Sequence, residues 1–279
     1  MIKTLDLGKK FGERVAIHKL NLSIEKGEVF GLLGPNGAGK TTFIRMVTML
    51  ARPTSGKILI NGLDTAEHEQ EIKQFIGIVP QHFNLDPDLT IQENLDLHGR
   101  LHHMQKNVRK QRSAALLEYV ELSDRKNDYI KTLSGGMKRR LMIARALMHQ
   151  PKVLLLDEPT VGLDPQVRRR LWDLIRRMHH DDITVIVTTH YIEEAENLCN
   201  RVAIMEKGKL IALDKPASLC QTIGSYVVEW EEAFERTYKF FNSREEAAAF
   251  AGGLTETAVI RKSNLEDVFV ELTGRKVSG

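Results

Sequence analysis

The sequence has few cysteines, little net charge and no long apolar run, and each shortage excludes a class of protein. Only two of the 279 residues, Cys199 and Cys220, are cysteines, which excludes a disulfide-stabilised scaffold and predicts free thiols in a reducing compartment. The formal net charge of +3 is too small to indicate a nucleic-acid partner. No run approaches about 18 consecutive apolar residues, so we expect no membrane crossing by the chain itself.

What is present indicates an ordinary globular protein. The apolar fraction of 42% and the charged fraction of 28% exclude a disordered or collagen-like chain, and the length predicts one large domain or two ordinary ones. The first residues include Asp6 and no apolar core, so no signal peptide is predicted. The basic clusters at 138–140 and 168–170 lie in helical patterns and are interpreted as solvated helix faces.

Four short and almost wholly apolar runs predict strands buried on both faces, as in a parallel sheet covered by helices. These runs are 29–33, 153–156, 183–187 and 202–205. One helical pattern extends from Phe43 to Leu50, and another follows Asp164, a predicted N-cap, with Pro165 at the first helical position. This alternation of strand and helix predicts an α/β sandwich.

The domain organisation follows from changes in these patterns along the chain. Residues 88–150 contain three helical patterns, the first of them Leu97, Leu101 and Met104, so we expect an all-helical insert in an α/β domain spanning 1–215. The opening residues predict short strands that meet at a turn after Phe11 and form an antiparallel subdomain. After about residue 215 the composition changes, and 216–279 is predicted to be a small α+β accessory domain.

A phosphate-binding loop is the first motif that carries chemistry. Residues 34–41 match G-x-x-x-x-G-K-[ST], follow a predicted strand and open a predicted helix. Glycines let backbone N–H groups approach phosphate oxygens, Lys40 can reach the β- and γ-phosphates, and the Thr41 hydroxyl can bind Mg²⁺. The predicted ATP-binding residues of this segment are Gly34, Pro35, Asn36, Gly37, Ala38, Gly39, Lys40, Thr41 and Thr42.

Two adjacent carboxylates, Asp157 and Glu158, end the second buried strand. Neighbouring residues of a strand point to opposite sides, so one acid can serve a metal ion and the next a water molecule. Together with the phosphate loop, this pattern predicts that Asp157 belongs to the Mg²⁺ shell and that Glu158 is the general base for water.

A glycine-containing segment at 133–137, Leu-Ser-Gly-Gly-Met, precedes a helix predicted to run to Pro151. Ser134 is a natural N-cap, and the two glycines leave the helix N-terminus open to an anion. A plain helix cap is the alternative interpretation of the same residues.

The phosphate loop, this segment and the strand-end acids occur in an order that resembles the ATP-binding cassette ATPases, the nucleotide-hydrolysing subunits of ABC transporters. The resemblance covers residues 1 to about 215 and implies a P-loop NTPase (RecA-like) sandwich that hydrolyses ATP with Mg²⁺. It also implies that Ser134, Gly135 and Gly136 contact the nucleotide of an opposite subunit, so two cassettes must pair head to tail. Met137 departs from the glutamine that many members have at this position.

Further residues take a role only through this resemblance. Phe11 matches the aromatic that stacks on adenine, with a strand-core position as the alternative. Gln81 matches the glutamine that contacts Mg²⁺ and senses the membrane partner, His190 matches the switch histidine, and 162–164 matches a loop linking the two active sites of a dimer. The resemblance thus implies catalytic roles for Glu158, His190, Lys40 and Gln81, and Mg²⁺ contacts for Thr41, Gln81 and Asp157.

For function, the resemblance implies the ATPase of a transporter whose membrane-spanning permease is a separate subunit. That permease would hold the chain at the cytoplasmic face of the inner or plasma membrane. The segments 135–140 and 264–275 resemble those of drug-, oligosaccharide- and cytochrome-biogenesis-type exporters. The second cassette is expected to be another copy of this chain, with a heterodimer as the alternative.

Two other functional classes fit less well. A soluble ABC ATPase acting on nucleic acid or ribosomes is disfavoured because Lys40 and Ser134 are too close for a long coiled coil, and because the chain has one cassette. No nucleic-acid partner is therefore expected. A P-loop kinase would leave the segment 133–137 and His190 unexplained.

Near the carboxyl end, Ser263 and Glu266 have the spacing of a capping box, and Gly274 can end the helix that follows. One apolar stripe of this helix comprises Leu265, Val268, Phe269 and Leu272. A helix this short needs a packing partner. The expected partners within the accessory domain are Val227, Trp230 or Phe250. The alternative is that this domain also meets its counterpart in a dimer.

Overall fold

Three β-sheets and their flanking helices make up the computed structural model, which describes residues 1–232 and 235–274. The strands are β1 (Ile2–Phe11), β2 (Arg14–Ile24), β3 (Val29–Leu33), β4 (Ser55–Ile60), β5 (Leu63–Asp64), β6 (Ile76–Val79), β7 (Val153–Asp157), β8 (Thr184–Thr189), β9 (Arg201–Glu206), β10 (Lys209–Asp214), β11 (Tyr226–Glu232), β12 (Glu235–Phe241) and β13 (Ala258–Lys262). The helices are α1 (Lys40–Val47), α2 (Glu69–Lys73), α3 (Ile91–Leu101), α4 (Lys106–Tyr119), α5 (Gly135–Ala146), α6 (Pro165–His180), α7 (Ile192–Leu198), α8 (Pro216–Ile223), α9 (Arg244–Ala251) and α10 (Leu265–Thr273). The carboxyl ends of the predicted segments 216–279 and 264–275 lie outside the described residues.

The central sheet has six strands in the order β10-β9-β3-β8-β7-β6, and all neighbours are parallel except β10 and β9. Every residue of β3, β7 and β8 is buried, because helices cover one face of the sheet and α1 with the amino-terminal strands covers the other. The predicted buried strands and the α/β sandwich are therefore confirmed. The sequence analysis missed β6, since a four-residue strand containing a glycine has too weak a pattern. Cys199 and Cys220 are free, as expected.

The amino-terminal strands form the predicted antiparallel subdomain in a second sheet of order β2-β1-β4-β5. The first two strands have 10 and 11 residues, so they are longer than expected. Gly12, with φ of 57°, makes the turn between them. The side chain of Phe11 is 49% exposed, so the strand-core alternative for this residue is wrong.

The insert is all-helical as predicted, since between residues 88 and 150 the structure has only α3, α4, α5 and two short 3₁₀ turns. Its first apolar face was predicted wrongly, because Leu97 and Leu101 are exposed while Ile91 and Leu95 are buried. The N-cap at Thr90 starts α3 earlier than the apolar pattern indicated. The buried residues Ile91 and Leu95 lie on a different face of this helix from Leu97 and Leu101. The third helix ends at Ala146 and does not reach Pro151.

Two smaller predictions about helix surfaces were also wrong. Leu50 is 73% exposed, because α1 ends at Val47 and the residues after it leave the helical path. Arg139, in the basic cluster expected to be solvated, is only 2% exposed. By contrast, the predicted start of α6 is confirmed, since the Val167 backbone N–H donates to Asp164 Oδ1 at 3.0 Å.

The carboxyl-terminal helix α10 is capped one residue later than predicted. Asn264 Oδ1 accepts from the Asp267 N–H at 3.0 Å, and Asp267 Oδ2 accepts from the Asn264 N–H at 2.8 Å, which completes a capping box. The Ser263 hydroxyl instead donates to the Gly224 carbonyl at 2.6 Å, so it cannot act as the cap. Gly274 has φ of 64° and ends the helix as predicted.

The buried side of α10 packs against α7 and α8. Leu265, Val268 and Phe269 join the hydrophobic cluster of the main body, whose nearby members are Ala195, Leu198, Leu219 and Cys220. Two of the expected partners, Trp230 and Phe250, contact each other with ring centroids 5.4 Å apart. The helix therefore packs mainly on α7 and α8, and the prediction that it packs on Val227, Trp230 or Phe250 is wrong. An ion pair between Asp267 and Arg261 of β13, at 2.7 Å, connects it to the sheet β12-β11-β13, while Leu272 is exposed.

We expect Leu265→Ala to lower the free energy of unfolding by about 2–5 kcal/mol, because it leaves a cavity between α10 and the main body. Leu272→Ala is the matched control on the same helix. Its side chain is 41% exposed, so the expected loss is within about 0.5 kcal/mol. Urea denaturation followed by circular dichroism measures both, and equal losses would contradict the packing of α10 on the main body.

Within residues 1–232 and 235–274, no helix combines the length and the hydropathy that a bilayer crossing requires.

Candidate functional site

The phosphate loop joins the end of β3 to the start of α1 and can be built only with glycine at two of its positions. Gly37 and Gly39 have φ values of 83° and 109°, a region that other residues rarely adopt. A Cβ on Gly39 would also lie 2.8 Å from the Ala16 carbonyl oxygen. The loop is joined to the neighbouring strand by the Gly34 N–H, which donates to the Thr189 carbonyl at 3.3 Å.

A cleft of about 310 Å³ opens above this loop and gathers most of the predicted site. Its lining residues are Phe11, Arg14, Ala16, Asn36, Gly37, Gly39, Lys40, Thr41, Thr42, Gln81 and Glu158. Arg14 and Ala16 were missed by the sequence analysis, because nothing in the pattern of β2 indicates that its start borders a distant loop. A larger cleft of about 620 Å³ lies on the helical insert, but it contains none of the predicted site residues.

Lys40 is buried at the base of the cleft. Its ammonium donates to the carbonyls of Gly34 and Pro35 at 2.7 and 3.2 Å and lies 3.6 Å from Glu158 Oε1. Burial lowers the pKa of Lys40, and the nearby carboxylate of Glu158 opposes that shift. The positive charge is therefore held where the loop and the acidic strand end meet.

The carboxyl end of β7 is organised by Thr188 of the neighbouring strand β8. The Thr188 hydroxyl donates to Asp157 Oδ1 and accepts from the Glu158 N–H at 3.1 Å, so one hydroxyl positions both acids. Burial raises the pKa of Asp157, and the hydrogen bond from Thr188 opposes that shift. Thr188 was given no role in the site by the sequence, because its contacts depend on which strands are adjacent.

The other three predicted catalytic side chains converge on the carboxylate of Glu158. The side-chain amide of Gln81 donates to Glu158 Oε2 at 3.2 Å, and Lys40 approaches the other oxygen. His190 Nδ1 lies 3.3 Å from Oε2 but out of line, so this ring nitrogen has no hydrogen-bond partner. Glu158 itself is 7% exposed and has a positive φ of 48°, an unfavourable conformation for a residue with a side chain.

Arg139 of α5 holds the segment that contains Gln81. Its guanidinium donates to the carbonyls of Pro80 and Gln81 at 2.7 and 2.8 Å. Burial lowers the pKa of Arg139, and the charges of Asp157 and Glu194 oppose that shift. The helix that begins at the glycine-containing segment is thus connected directly to the glutamine of the cleft.

The glycine-containing segment itself does not line the cleft of the same chain. Ser134 is exposed and caps α5, accepting from the Met137 N–H at 3.3 Å. Gly135 is exposed as well, whereas a Cβ on Gly136 would lie 2.3 Å from Val167 Cγ1, so this glycine permits close packing against α6. The predicted anion site at the start of α5 therefore lies outside the cleft of its own chain, with Ser134 and Gly135 exposed.

Comparison with known proteins identifies relatives for nearly the whole chain. A family model described as "ABC transporter" matches residues 17–161, just over half of the chain. Nod factor export ATP-binding protein I of Cupriavidus pinatubonensis is 40% identical over 290 residues, covering 96% of this chain and 89% of that protein. Linearmycin resistance ATP-binding protein LnrL of Bacillus subtilis is 43% identical over 224 residues, covering 80% of this chain and 72% of that protein.

Among solved structures, similarity extends to a dimeric ATP-binding cassette in a post-hydrolysis state with bound ADP and phosphate. Its TM-score is 0.70 at 32% sequence identity, and the match covers 77% of this chain and 98% of that one.

Proposed function

Because the chain belongs to the ABC transporter family as an ATP-hydrolysing cassette, we propose that it supplies the energy for an exporter with a separate membrane-spanning subunit. The convergence of Lys40, Gln81 and His190 on the strand-end carboxylate of Glu158 is the observation that carries the catalytic part of this proposal. Export is inferred from the relatives, one of which is named for Nod factor export and another for linearmycin resistance.

ATP binds in the cleft above the phosphate loop. The exposed ring of Phe11 stacks on adenine at one end of the cleft, and the backbone N–H groups of Asn36, Gly37 and Gly39 meet the phosphates at the other. Lys40 transfers its hydrogen bonds from the loop carbonyls to the β- and γ-phosphates. Arg14, which lines the same cleft, adds a second positive charge near the nucleotide.

The residues expected to hold Mg²⁺ have the oxygen donors that this ion prefers. Thr41 and Gln81 line the cleft, and Asp157 at the adjoining strand end keeps one carboxylate oxygen free of the hydrogen bond from Thr188. When bound, Mg²⁺ neutralises phosphate charge during phosphoryl transfer. The matching donors support Mg²⁺ as the cofactor.

Glu158 accepts the proton of the attacking water. The side-chain amide of Gln81 and the ammonium of Lys40 hold its two oxygens in place from different sides, so the carboxylate is oriented before ATP arrives. His190 stands at the edge of the same carboxylate with a ring nitrogen that has no partner, and this nitrogen contacts the γ-phosphate when the site closes.

A second cassette completes the site. Ser134, Gly135 and Gly136 leave the N-terminus of α5 open but lie outside the cleft of their own chain, so they contact the nucleotide bound by the partner. Two identical chains paired head to tail then form two composite sites. The dimeric cassette among the similar structures supports this arrangement.

We propose that residues 1–215 form the nucleotide-binding domain, with the insert at 88–150, and that 216–279 form an accessory domain. The separate three-stranded sheet and α9 support this division, although α8 and α10 pack on residues 1–215.

The membrane subunit holds the chain at the cytoplasmic face of the inner or plasma membrane. Co-expression with a polytopic membrane protein whose reading frame adjoins that of this chain tests the assignment. Stable copurification and ATP-dependent transport into inverted vesicles are expected, and binding to nucleic acid instead would overturn it.

Arg139 is expected to couple the start of α5 to the catalytic glutamine. In Arg139→Lys, one ammonium cannot bond both the Pro80 and Gln81 carbonyls, so the Gln81 loop is held less firmly. We expect at least a tenfold lower kcat for ATP hydrolysis with ATP affinity of the monomer unchanged. Arg140→Lys, on the next position of the same helix, is the control and should retain the wild-type kcat. Equal kcat in both variants would exclude this role for Arg139.

A further inference from the structure

Three histidines cluster within the helical insert, outside the nucleotide cleft. His98 and His102 are four residues apart at the end of α3, and His149 lies in the connection from α5 to β7. One potential ligand nitrogen from each residue lies within 4.8 Å of the other two. The function proposed above does not use any of the three.

Two of these rings present buried nitrogens without a hydrogen-bond partner. His149 Nε2 lies 3.0 Å from the Ile76 carbonyl oxygen, which can only accept, so Nε2 carries the proton and Nδ1 presents a lone pair. This Nδ1 is buried and unpaired, and so is His98 Nε2. Buried polar atoms without partners are uncommon in folded proteins and call for a specific explanation.

The charge state of the cluster suits a ligand role. Burial lowers the pKa of His98 to about 3 and that of His149 to about 4, and it also lowers the pKa of His102. The imidazoles are therefore neutral at physiological pH, which is the form that binds metal ions. The positive charge of Arg145 lies near His98 and opposes a bound cation, but its guanidinium is held by hydrogen bonds to Asn84.

We propose that His98, His102 and His149 bind one Zn²⁺ ion, with water as the fourth ligand. Three imidazoles without a hard oxygen donor favour zinc over Mg²⁺ or Ca²⁺. Zinc–nitrogen distances of about 2.0–2.1 Å require the ligand nitrogens to approach to roughly 3.4 Å. The ring of His102, now stacked 3.9 Å from that of His149, must turn to present its nitrogen, and His102 is the C-cap of α3, one residue beyond the last helical position.

The ion would connect two parts of the molecule. His98 and His102 lie at the end of α3, whereas His149, near the end of the insert, is hydrogen-bonded to the first residue of β6 in the central sheet. The N–H to carbonyl bond of His149 fixes its ring orientation, as outer partners do for ligating histidines in known zinc sites. Zinc should therefore stabilise the position of the insert relative to the sheet.

Untagged full-length protein, stripped of metal with a chelator and kept in excess Mg²⁺, tests the proposal by titration with ZnCl₂. We expect one Zn²⁺ per chain, a higher Tm with zinc, and visible absorption typical of four-coordinate Co²⁺ after substitution with that ion. His98→Gln, His102→Ala and His149→Asn should each weaken zinc binding at least tenfold. His103→Asn is the matched control, since His103 is exposed outside the cluster and its positive φ of 54° suits asparagine.

The controls separate a zinc site from loss of folding or from zinc in the nucleotide cleft. Each variant is compared by circular dichroism and by its Tm without metal, so a variant that does not fold is recognised and the other two decide the outcome. Zinc bound at the nucleotide cleft would be lost in Asp157→Asn and retained in the histidine variants, which would overturn the proposal. Absence of stoichiometric zinc binding to the folded wild type would overturn it as well.

Discussion

Glu158→Gln is expected to lower the rate of ATP hydrolysis by about 10²–10⁴-fold while leaving Mg-ATP binding intact. The substitution removes the carboxylate that accepts the proton of water but keeps a side chain of nearly the same size and shape. The amide can still occupy the space between Lys40 and Gln81, so the cleft should retain its form. ATP that is bound but not hydrolysed should accumulate as a closed dimer. Steady-state phosphate release measures the first effect, and size exclusion with and without ATP measures the second.

Glu118→Gln provides a control for the loss of one negative charge, since Glu118 is exposed on α4 outside the cleft. It should hydrolyse ATP at the wild-type rate. If Glu158→Gln also turns over at the wild-type rate, another group accepts the proton from water. Asp157, the only other acid at the end of this strand, would then be the next residue to replace.

The second large effect is expected from Lys40→Ala, which removes the positive charge at the base of the phosphate loop. Nucleotide binding itself should weaken, because Lys40 lines the cleft and is the cation proposed to contact the β- and γ-phosphates. Ser134→Ala should instead leave ATP binding by the monomer unchanged and impair hydrolysis by the dimer. Fluorescent nucleotide titration separates the two defects.

Ser134 also caps α5, so its replacement by alanine is expected to cost about 0.5–2 kcal/mol of stability. Ser134→Gly removes the same hydroxyl but retains most of the capping stability. If the contact to the partner's nucleotide matters, both variants lose hydrolysis equally. If only the helix end matters, the glycine variant hydrolyses ATP nearly as fast as the wild type.

Mixing the Lys40→Ala and Ser134→Ala chains tests the head-to-tail arrangement. A mixed dimer has one composite site with both lesions and one site with neither, so partial hydrolysis should return. Each variant alone provides the baseline. If mixtures that form dimers recover no activity, the shared-site geometry or the independence of the two sites is wrong.

Features formed by consecutive residues were predictable from the sequence alone. The phosphate loop needs glycines at fixed positions before a helix, and buried parallel strands need short apolar runs. The order of neighbouring residues is therefore enough to predict both. The acids at 157 and 158 could be assigned because a strand end follows directly from its apolar run. The capping box of α10 was misplaced by one residue, since Ser263 and Asn264 have similar local signals and a distant carbonyl, that of Gly224, decides between them.

Contacts between distant segments were decided by the tertiary structure. Arg139 looked like part of a solvated basic face, but the packing of α5 near β6 buries it against carbonyls 58 and 59 positions away. Thr188 positions both acids because β8 is the neighbour of β7, and the three histidines meet because the end of α3 lies beside the α5–β7 connection. The sequence alone determined the nucleotide loop and the acids of the cassette, because their chemistry depends on adjacent residues. Strand order and helix packing decide which side chains position and surround these residues, and no pattern of neighbouring residues determines that order or packing.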